Sequence, residues 1–367
     1  MSKKHSFACV ALLCVLALQN AQAGSGGTGG SGDDFPPYEV GDIVIFGPVG
    51  ESVEKIGHSA ILGPRSEDGT GAVTLRDCMP IPGITENNKL NHGNVEGIIT
   101  VSTLADGTWS QEKEEKRWNI WAAAGTYIGK QYITYDPPNT SDFSWSWWSE
   151  MATEQNSNLA VQADSIYATP AGTHDYKPRQ KGSEVSRYTC CGFTETVYEG
   201  TGNNLCPNAS EFVESPYKAP FLWIFSITVA KGYVFWPVRQ LEAGAKSVPK
   251  GPDVTIETPA NDEWVNSNPL TIKGKAVDVS KLRQNKVVFI HVKPDGTNEE
   301  ISFDVDQGTH LFNQQVTWTD GIHILKVHTY DQAGNLSEKF KDGTIEYKIK
   351  IDTKKPTGSI SVSISPS

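Results

Sequence analysis

Residues 187–199, "RYTCCGFTETVYE", place two adjacent cysteines directly before a helical pattern of apolar residues. Cys190, Phe193 and Val197 recur at spacings of three and four, which puts them on one face of a helix. The following "GTGNNLCPN" is rich in glycine and asparagine and ends that helix. A thiol at the start of a helix is favoured as a thiolate, because the helix dipole and its unpaired N–H groups stabilise negative charge. The pattern makes Cys190 a candidate nucleophile.

A thiol nucleophile needs a base to take its proton and a third group to orient that base. His58 begins an apolar strand in "GHSAILG", and Asp77 ends the next strand in "TLRDCMP". Neighbouring strands would bring this carboxylate beside the imidazole, so we predict His58 as the base and Asp77 as the orienting group. From spacing alone, a purely structural histidine is the alternative interpretation of His58.

The first 23 residues have the pattern of a secretory signal peptide. Lys3 and Lys4 precede the short apolar run "FACVALLCVLAL", and "AQA" ends at Ala23 with small residues at the cleavage positions. We therefore expect a secreted or periplasmic protein. The sequence contains no later stretch long and apolar enough to predict a transmembrane segment. The formal net charge of −11 argues against nucleic acid as a partner, since phosphates require a basic surface.

Composition and periodicity divide the chain into a catalytic candidate and a β-rich module. Regularly spaced short strands after the linker predict an immunoglobulin-like β-sandwich, which we expect to contact the cell surface or a protein partner. The predicted boundaries are a signal peptide at 1–23, a Gly/Ser-rich tether at 24–37, a first domain at 38–243 with an insertion at 133–186, a linker at 244–252, the sandwich at 253–352, and the start of a further module or a tail at 353–367.

The order of five motifs resembles the circularly permuted NlpC-like cysteine peptidases, the YiiX-like branch of the papain-type fold, which is related to lecithin retinol acyltransferase. The resemblance covers roughly residues 38–230 and is interrupted by the insertion. It implies an α+β fold class, with a central antiparallel sheet and a Cys-bearing helix in a permuted papain-like domain, followed by the all-β sandwich. The motifs are "GDIVIF", "GHSAILG", "LRDCMPIPG", "AAAGTYIGKQY" and "YTCCGFTETVY".

The resemblance also implies roles for individual residues. Cys190 falls on the nucleophile of the family, His58 on its histidine, and Asp77 on a third position where the family often has Glu. Cys191 takes the small-residue position after the nucleophile. Tyr188, just before the nucleophile, is a candidate for binding the substrate carbonyl, with a packing role as the alternative.

An aromatic cluster, "SWSWW" at 144–148, lies in the insertion. Trp145, Trp147 and Trp148 are candidates for a substrate-binding platform, and an apolar anchor for the insertion is the alternative.

The cysteines outside the signal peptide leave the pairing open. They are Cys78, Cys190, Cys191 and Cys206. Thiols of exported proteins commonly pair, and a bridge between Cys191 and Cys206 is one possibility. A bridge that used Cys190 would remove the nucleophile.

The resulting hypothesis is an exported cysteine hydrolase that cleaves amide bonds in cell-wall peptide, without a cofactor or a metal. One alternative keeps the thiol chemistry but acts on acyl esters or lipids, as a hydrolase or an acyltransferase. The other alternative is a catalytically inactive binding or adhesion protein.

Overall fold

The computed structural model describes residues 35–47, 58–67, 71–79, 83–87, 94–132, 187–188, 190–203, 205, 214–221, 225–233, 240–241 and 244–354. The predicted signal peptide and the insertion at 133–186 lie outside this part. The chain divides into two compact units, and the second unit begins at Gly251. Each unit has a hydrophobic core of its own.

The described strands of the first unit are β1 Ile43–Phe46, β2 His58–Arg65, β3 Val73–Met79, β4 Gly83–Asn87, β5 Val95–Thr100, β6 Gln131–Tyr132, β7 Arg187–Tyr188, β8 Glu214–Phe221, β9 Phe225–Tyr233 and β10 Ala245–Lys246, and its helices are α1 Gln111–Gly125 and α2 Cys190–Gly200. Six of these strands form the main sheet, in the order β10-β5-β1-β2-β3-β4, and all pairings in this sheet are antiparallel.

Two helices pack on this sheet. Ser110 caps α1 by accepting a hydrogen bond from the backbone N–H of Lys113, and buried residues that include Ile120 and Trp121 form the inner face of the helix. Helix α2 packs across β2 and β3 and also contacts α1. Phe193 and Val197 of α2 are fully buried, which confirms the predicted inner face of this helix.

A buried ion pair joins α1 to the turn before β1. Arg117 donates to the Oδ1 atom of Asp42 at 2.7 Å, and both side chains are inaccessible to solvent. The guanidinium also donates to the backbone carbonyls of Val40 and Leu104. The Oδ2 atom of Asp42 accepts from Ser247, so one carboxylate ties three segments of the first unit together. Burial acts to lower the pKa of Arg117, but the charge and hydrogen bond of Asp42, together with the charges of Glu39 and Tyr198, raise it.

Gly41 allows the turn to approach α1 this closely. It has a φ of +87°, a conformation that residues with a side chain rarely adopt. A Cβ atom at this position would lie 2.8 Å from the backbone oxygen of Arg117. The Gly-Asp pair therefore brings the chain against the helix and places the carboxylate on the guanidinium.

Three pairings complete the first unit. Strands β6 and β7 pair in parallel, so the residues that flank the insertion lie side by side, and β7 ends two residues before Cys190. Strands β8 and β9 form an antiparallel hairpin. Strand β10, which lies in the stretch predicted as a linker, joins the edge of the main sheet.

The second unit contains two sheets with a shared core and a separate two-stranded pairing of β18 with β19. A three-stranded sheet has the order β11-β13-β16, and a five-stranded sheet has the order β12-β20-β17-β14-β15. Phe312 of the first sheet packs against Phe289 and Phe303 of the second, with ring centroids 6.1 and 6.0 Å apart. The strands are β11 Asp253–Thr258, β12 Glu263–Val265, β13 Leu270–Val277, β14 Lys286–Val292, β15 Asn298–Asp304, β16 Leu311–Val316, β17 Gly321–Val327, β18 Thr329–Tyr330, β19 Leu336–Ser337 and β20 Tyr347–Ile351.

The predicted α+β fold class with a permuted papain-like first domain is wrong, because the chain is mainly β. The described residues contain two α-helices, of 15 and 11 residues, and twenty strands. Besides its six-stranded sheet, which includes the edge strand Ala245–Lys246, the first unit contains the separate hairpin of Glu214–Phe221 and Phe225–Tyr233, and the second unit is built of strands. No helix within the described ranges has the length and apolar character needed to cross a membrane.

Candidate active site

The pairing of β2 with β3 brings His58 and Asp77 together. Asp77 lies opposite Ala60 in the ladder, and His58 is two residues before Ala60 on the same strand. The Nε2 atom of His58 lies 3.3 Å from the Oδ2 atom of Asp77. The carboxylate is fully buried, and the side chain of His58 retains 15% exposure. The predicted contact between the imidazole and the carboxylate is confirmed.

Cys190 is the first residue of α2 and meets the same imidazole. Its thiol is hydrogen-bonded to His58, and only 6% of the residue is exposed. Burial acts to lower the pKa of His58, but the charge of Cys190 and the hydrogen bonds to Asp77 and Cys190 raise it to about 9. Both neighbours of the imidazole therefore favour its protonated form.

A fourth polar residue supports this arrangement and was not predicted from the sequence. The side-chain amide of Asn87, at the end of β4, donates to the Oδ1 atom of Asp77 at 3.2 Å. It also donates to Thr85, whose Cα pairs with that of Asp77 across the ladder. Both oxygens of the carboxylate are engaged, one by His58 and one by Asn87. The register of β3 and β4 was the missing signal, because it places Asn87 two residues beyond the partner of Asp77.

Helix α2 is fixed on the sheet by buried polar contacts. The hydroxyls of Thr194 and Ser59 lie 3.4 Å apart, and the side-chain amide of Gln240 donates to Thr194 at 2.7 Å. At the far end of the helix, the Tyr198 hydroxyl donates to the backbone carbonyl of Gly41. The position of Cys190 relative to His58 is therefore set by secondary structure and its packing.

These residues have the geometry of an activated thiol. A thiolate at position 190 is stabilised by the imidazolium of His58 and by the positive end of the α2 dipole. The first backbone N–H groups of a helix have no partner within the helix, so they are available to a negatively charged oxygen. Phe46 stacks on the His58 ring, with centroids 6.2 Å apart, and covers one of its faces. The group can form and hold an imidazolium–thiolate pair.

The remaining predicted site residues are not placed at this group. The backbone of Tyr188 lies in β7, and its side chain is outside the described residues, as is that of Cys191. Trp145, Trp147 and Trp148 and Cys206 also lie outside the described part of the chain. Cys78 and Cys190 are both present as buried thiols.

Cys190 is expected to react with iodoacetamide at least about tenfold faster than Cys78 in the native protein, since a tenfold change in thiolate fraction corresponds to one pKa unit. Burial, together with the charges of Cys190 and Asp77, raises the pKa of the Cys78 thiol well above its ordinary value. Peptide mapping after timed alkylation without reductant measures both rates, and the denatured protein provides the control with equal labelling. Equal native rates, or labelling of Cys190 only after reduction, would contradict the expectation.

Comparison with known proteins assigns the chain to no family. No family model matches the chain, and no curated protein matches it. Solved structures show low similarity. CopC from Methylosinus trichosporium OB3b has a TM-score of 0.23 and 12% identity, over 30% of this chain and 99% of that one. An engineered protein has a TM-score of 0.22 and 14% identity, over 33% of this chain and 25% of its own. The fibronectin(III)-like modules of Clostridium thermocellum CbhA have a TM-score of 0.21 and 18% identity, over 40% of this chain and 65% of theirs.

Proposed function

We propose that the protein is an exported cysteine hydrolase that cleaves amide bonds. The observation that carries the proposal is the contact of a helix-initial thiol, an imidazole and a buried carboxylate at positions 190, 58 and 77. Export is supported by the signal-peptide pattern of the first 23 residues. The motif order that resembles the NlpC-like cysteine peptidases supports the same chemistry.

The residues divide the reaction into two steps. The Cys190 thiolate attacks the carbonyl carbon, a C–S bond forms, and the N–H groups at the start of α2 stabilise the oxyanion. The imidazolium of His58 gives its proton to the leaving nitrogen as the C–N bond breaks. His58 then takes a proton from water, the resulting hydroxide cleaves the thioester, and the thiolate is regenerated. Asp77 keeps the ring oriented through both steps.

Cell-wall peptide is the substrate class that we propose. The chain enters the insertion from β6 and returns through β7, which pairs with β6 and leads directly into α2. The tryptophans of the insertion, Trp145, Trp147 and Trp148, are proposed as a platform for that substrate.

Incubation of purified peptidoglycan with the mature protein is expected to release one new amino group for each amide bond cleaved, without release of reducing sugar. Amino-group derivatisation and mass spectrometry of the soluble products measure this outcome. A parallel incubation with lipid and acyl esters tests the alternative thiol chemistry. Release of fatty acid without any new amino group would overturn the amide assignment, and the absence of both products would support a non-enzymatic role.

A further inference from the structure

Two histidines lie on the core face of the second unit. His291 of β14 and His323 of β17 are each only 1% exposed. The other buried residues of these two strands are apolar, namely Val287, Phe289, Leu325 and Val327. A buried imidazole is costly unless its nitrogens are hydrogen-bonded, so the partners of these two rings decide what they do.

The two rings form the middle of a continuous chain of polar contacts. The Nδ1 atom of His291 lies 2.9 Å from a carboxylate oxygen of Glu299. The Nε2 atom of His291 lies 2.9 Å from the Nδ1 atom of His323. The Nε2 atom of His323 lies 2.8 Å from the backbone oxygen of Thr319. All four ring nitrogens are therefore used, and the chain ends in a hydrogen-bond acceptor on each side.

The two ends of this series of hydrogen bonds determine how many protons it must contain. A carboxylate and a carbonyl can only accept, so the outer nitrogens of the two rings must both carry hydrogen. A neutral imidazole has one N–H. Two neutral rings would therefore use both of their N–H groups in the contacts with Glu299 and Thr319. The facing nitrogens of His291 and His323 would then meet as two lone pairs at 2.9 Å. Three contacts require three protons, which is one more than two neutral rings supply.

The surroundings of the pair act on its charge in both directions. Glu299 supplies a negative charge, which it shares with Lys293 at 2.6 Å. Trp318 stacks on His291 and His323, with ring centroids 4.1 and 4.9 Å away. Burial and the charges of His323 and Lys293 lower the pKa of His291, the hydrogen bond and charge of Glu299 oppose them, and the pKa stays below its ordinary value. Double protonation of the pair is therefore disfavoured.

Toward β17 and β20, the described ladder partners of the two histidines are apolar. Leu325 pairs with His291, and Ile349 of the neighbouring strand pairs with His323, and both partners are buried and apolar. Asp320, next to Thr319 in sequence, has its carboxylate bound to the backbone and hydroxyl of Thr353.

We propose that His291 and His323 form a buried site that binds one proton between their facing nitrogens. The site belongs to the second unit and does not depend on the proposed hydrolase activity. The separation of 2.9 Å fits an N–H···N hydrogen bond. A metal ion held at about 2.0–2.1 Å from each of two tetrahedral ligands would need the nitrogens farther apart.

The bound proton joins β14 to β17 through the facing nitrogens of His291 and His323. His323 also donates to the carbonyl of Thr319 in the loop between β16 and β17, and the same loop places Trp318 over both rings. Loss of the shared proton leaves two lone pairs in contact and removes the hydrogen bond between the two strands, while the outer contacts keep their protons. The second unit therefore contains a pH-sensitive contact between two strands.

Imidazole ¹⁵N NMR of the mature protein, labelled at histidine, tests the site without any substitution. We expect a scalar coupling between nitrogens of two different imidazoles, carried by the shared proton, together with three protonated ring nitrogens in the pair. The coupling should be present while the pair holds its third proton and should disappear when the pH is raised far enough to remove that proton. Two imidazoles that titrate independently, without a coupling at any pH, would overturn the proposal.

Two variants separate the site from its surroundings. His323→Gln is expected to abolish the coupling and to speed amide exchange in residues 317–320. His328→Gln is the matched control, since the ring of His328 contacts Tyr330 at 5.4 Å and takes no part in the chain of contacts. It should leave both signals unchanged. Stoichiometric zinc or copper in the purified protein, with loss of the pattern on chelation, would replace the proton by a metal and overturn the proposal.

Discussion

Replacement of Cys190 by alanine is expected to lower the rate of amide hydrolysis by about 10⁴-fold or more, because covalent chemistry ends when the nucleophile is removed. The side chain is small and lies at the first residue of α2, and the remaining contacts of the helix with the sheet are unaffected. We therefore expect the variant to fold. Initial rates of amino-group release from peptidoglycan measure the effect, and circular dichroism confirms the fold.

Cys78→Ala is the matched control, since it removes a second buried thiol of the same unit. It is expected to retain activity within about threefold, because Cys78 takes no part in the proposed steps. His58→Ala should lose as much activity as Cys190→Ala, and the double variant should lose no more than either one, since the two residues act as a unit. Unchanged turnover in Cys190→Ala would remove the proposed mechanism.

Asp77, which orients His58, should affect the pH dependence of the rate of amide hydrolysis. His58 serves as a general acid only while it is protonated, so activity should be present below its pKa of about 9 and fall as the pH rises through that value. Asp77 contributes to this raised pKa, both through its hydrogen bond and through its charge. Asp77→Asn should therefore move the alkaline limb of the profile to lower pH. A residue that only filled space would leave the limb in place.

The contact between His58 and Asp77 was predictable because it depends on local chain connectivity. Two successive strands joined by a short connection pair with each other, so a histidine at the start of one and an aspartate at the end of the next are brought together. Local connectivity does not place Cys190, because it follows His58 and Asp77 by more than 100 residues. Its position in the site was inferred from the helical pattern and the motif resemblance. Asn87 was missed because its role depends on the register of β3 and β4.

The prediction of the fold class was wrong because short apolar segments fit either a strand or a helix. The stretch "APFLWIFSITVA" at 219–230 has a length that fits a strand or a core helix, and the structure places 219–221 in β8 and 225–230 in β9. Ala245–Lys246 read as linker by composition, yet it pairs with the edge of the sheet through backbone groups that sequence pattern does not reveal. The histidine pair could not be predicted either, because His291 and His323 lie 32 positions apart in sequence.

Replacement of Arg117 by methionine is expected to destabilise the first unit by about 3–5 kcal/mol, the typical result of breaking a buried ion pair by removing one partner. The guanidinium is fully buried, and its loss leaves the carboxylate of Asp42 uncompensated in the core. The carbonyl of Leu104 also loses a donor at 2.7 Å. Native-state hydrogen exchange of peptides from β1 and α1 measures the loss, and peptides from the second unit serve as the internal reference.

Lys116→Met is the matched control from the same helix. Lys116 pairs with Glu112 at 2.7 Å on the exposed surface, where water and salt screen the two charges, so its replacement should change stability little. Asp42→Asn should also be costly alone, yet the double variant with Arg117→Met should cost less than the sum, since neither substitution then leaves an unpaired buried charge. Additive losses would show that Arg117 and Asp42 contribute independently. The ion pair would then not be what holds the turn before β1 against α1.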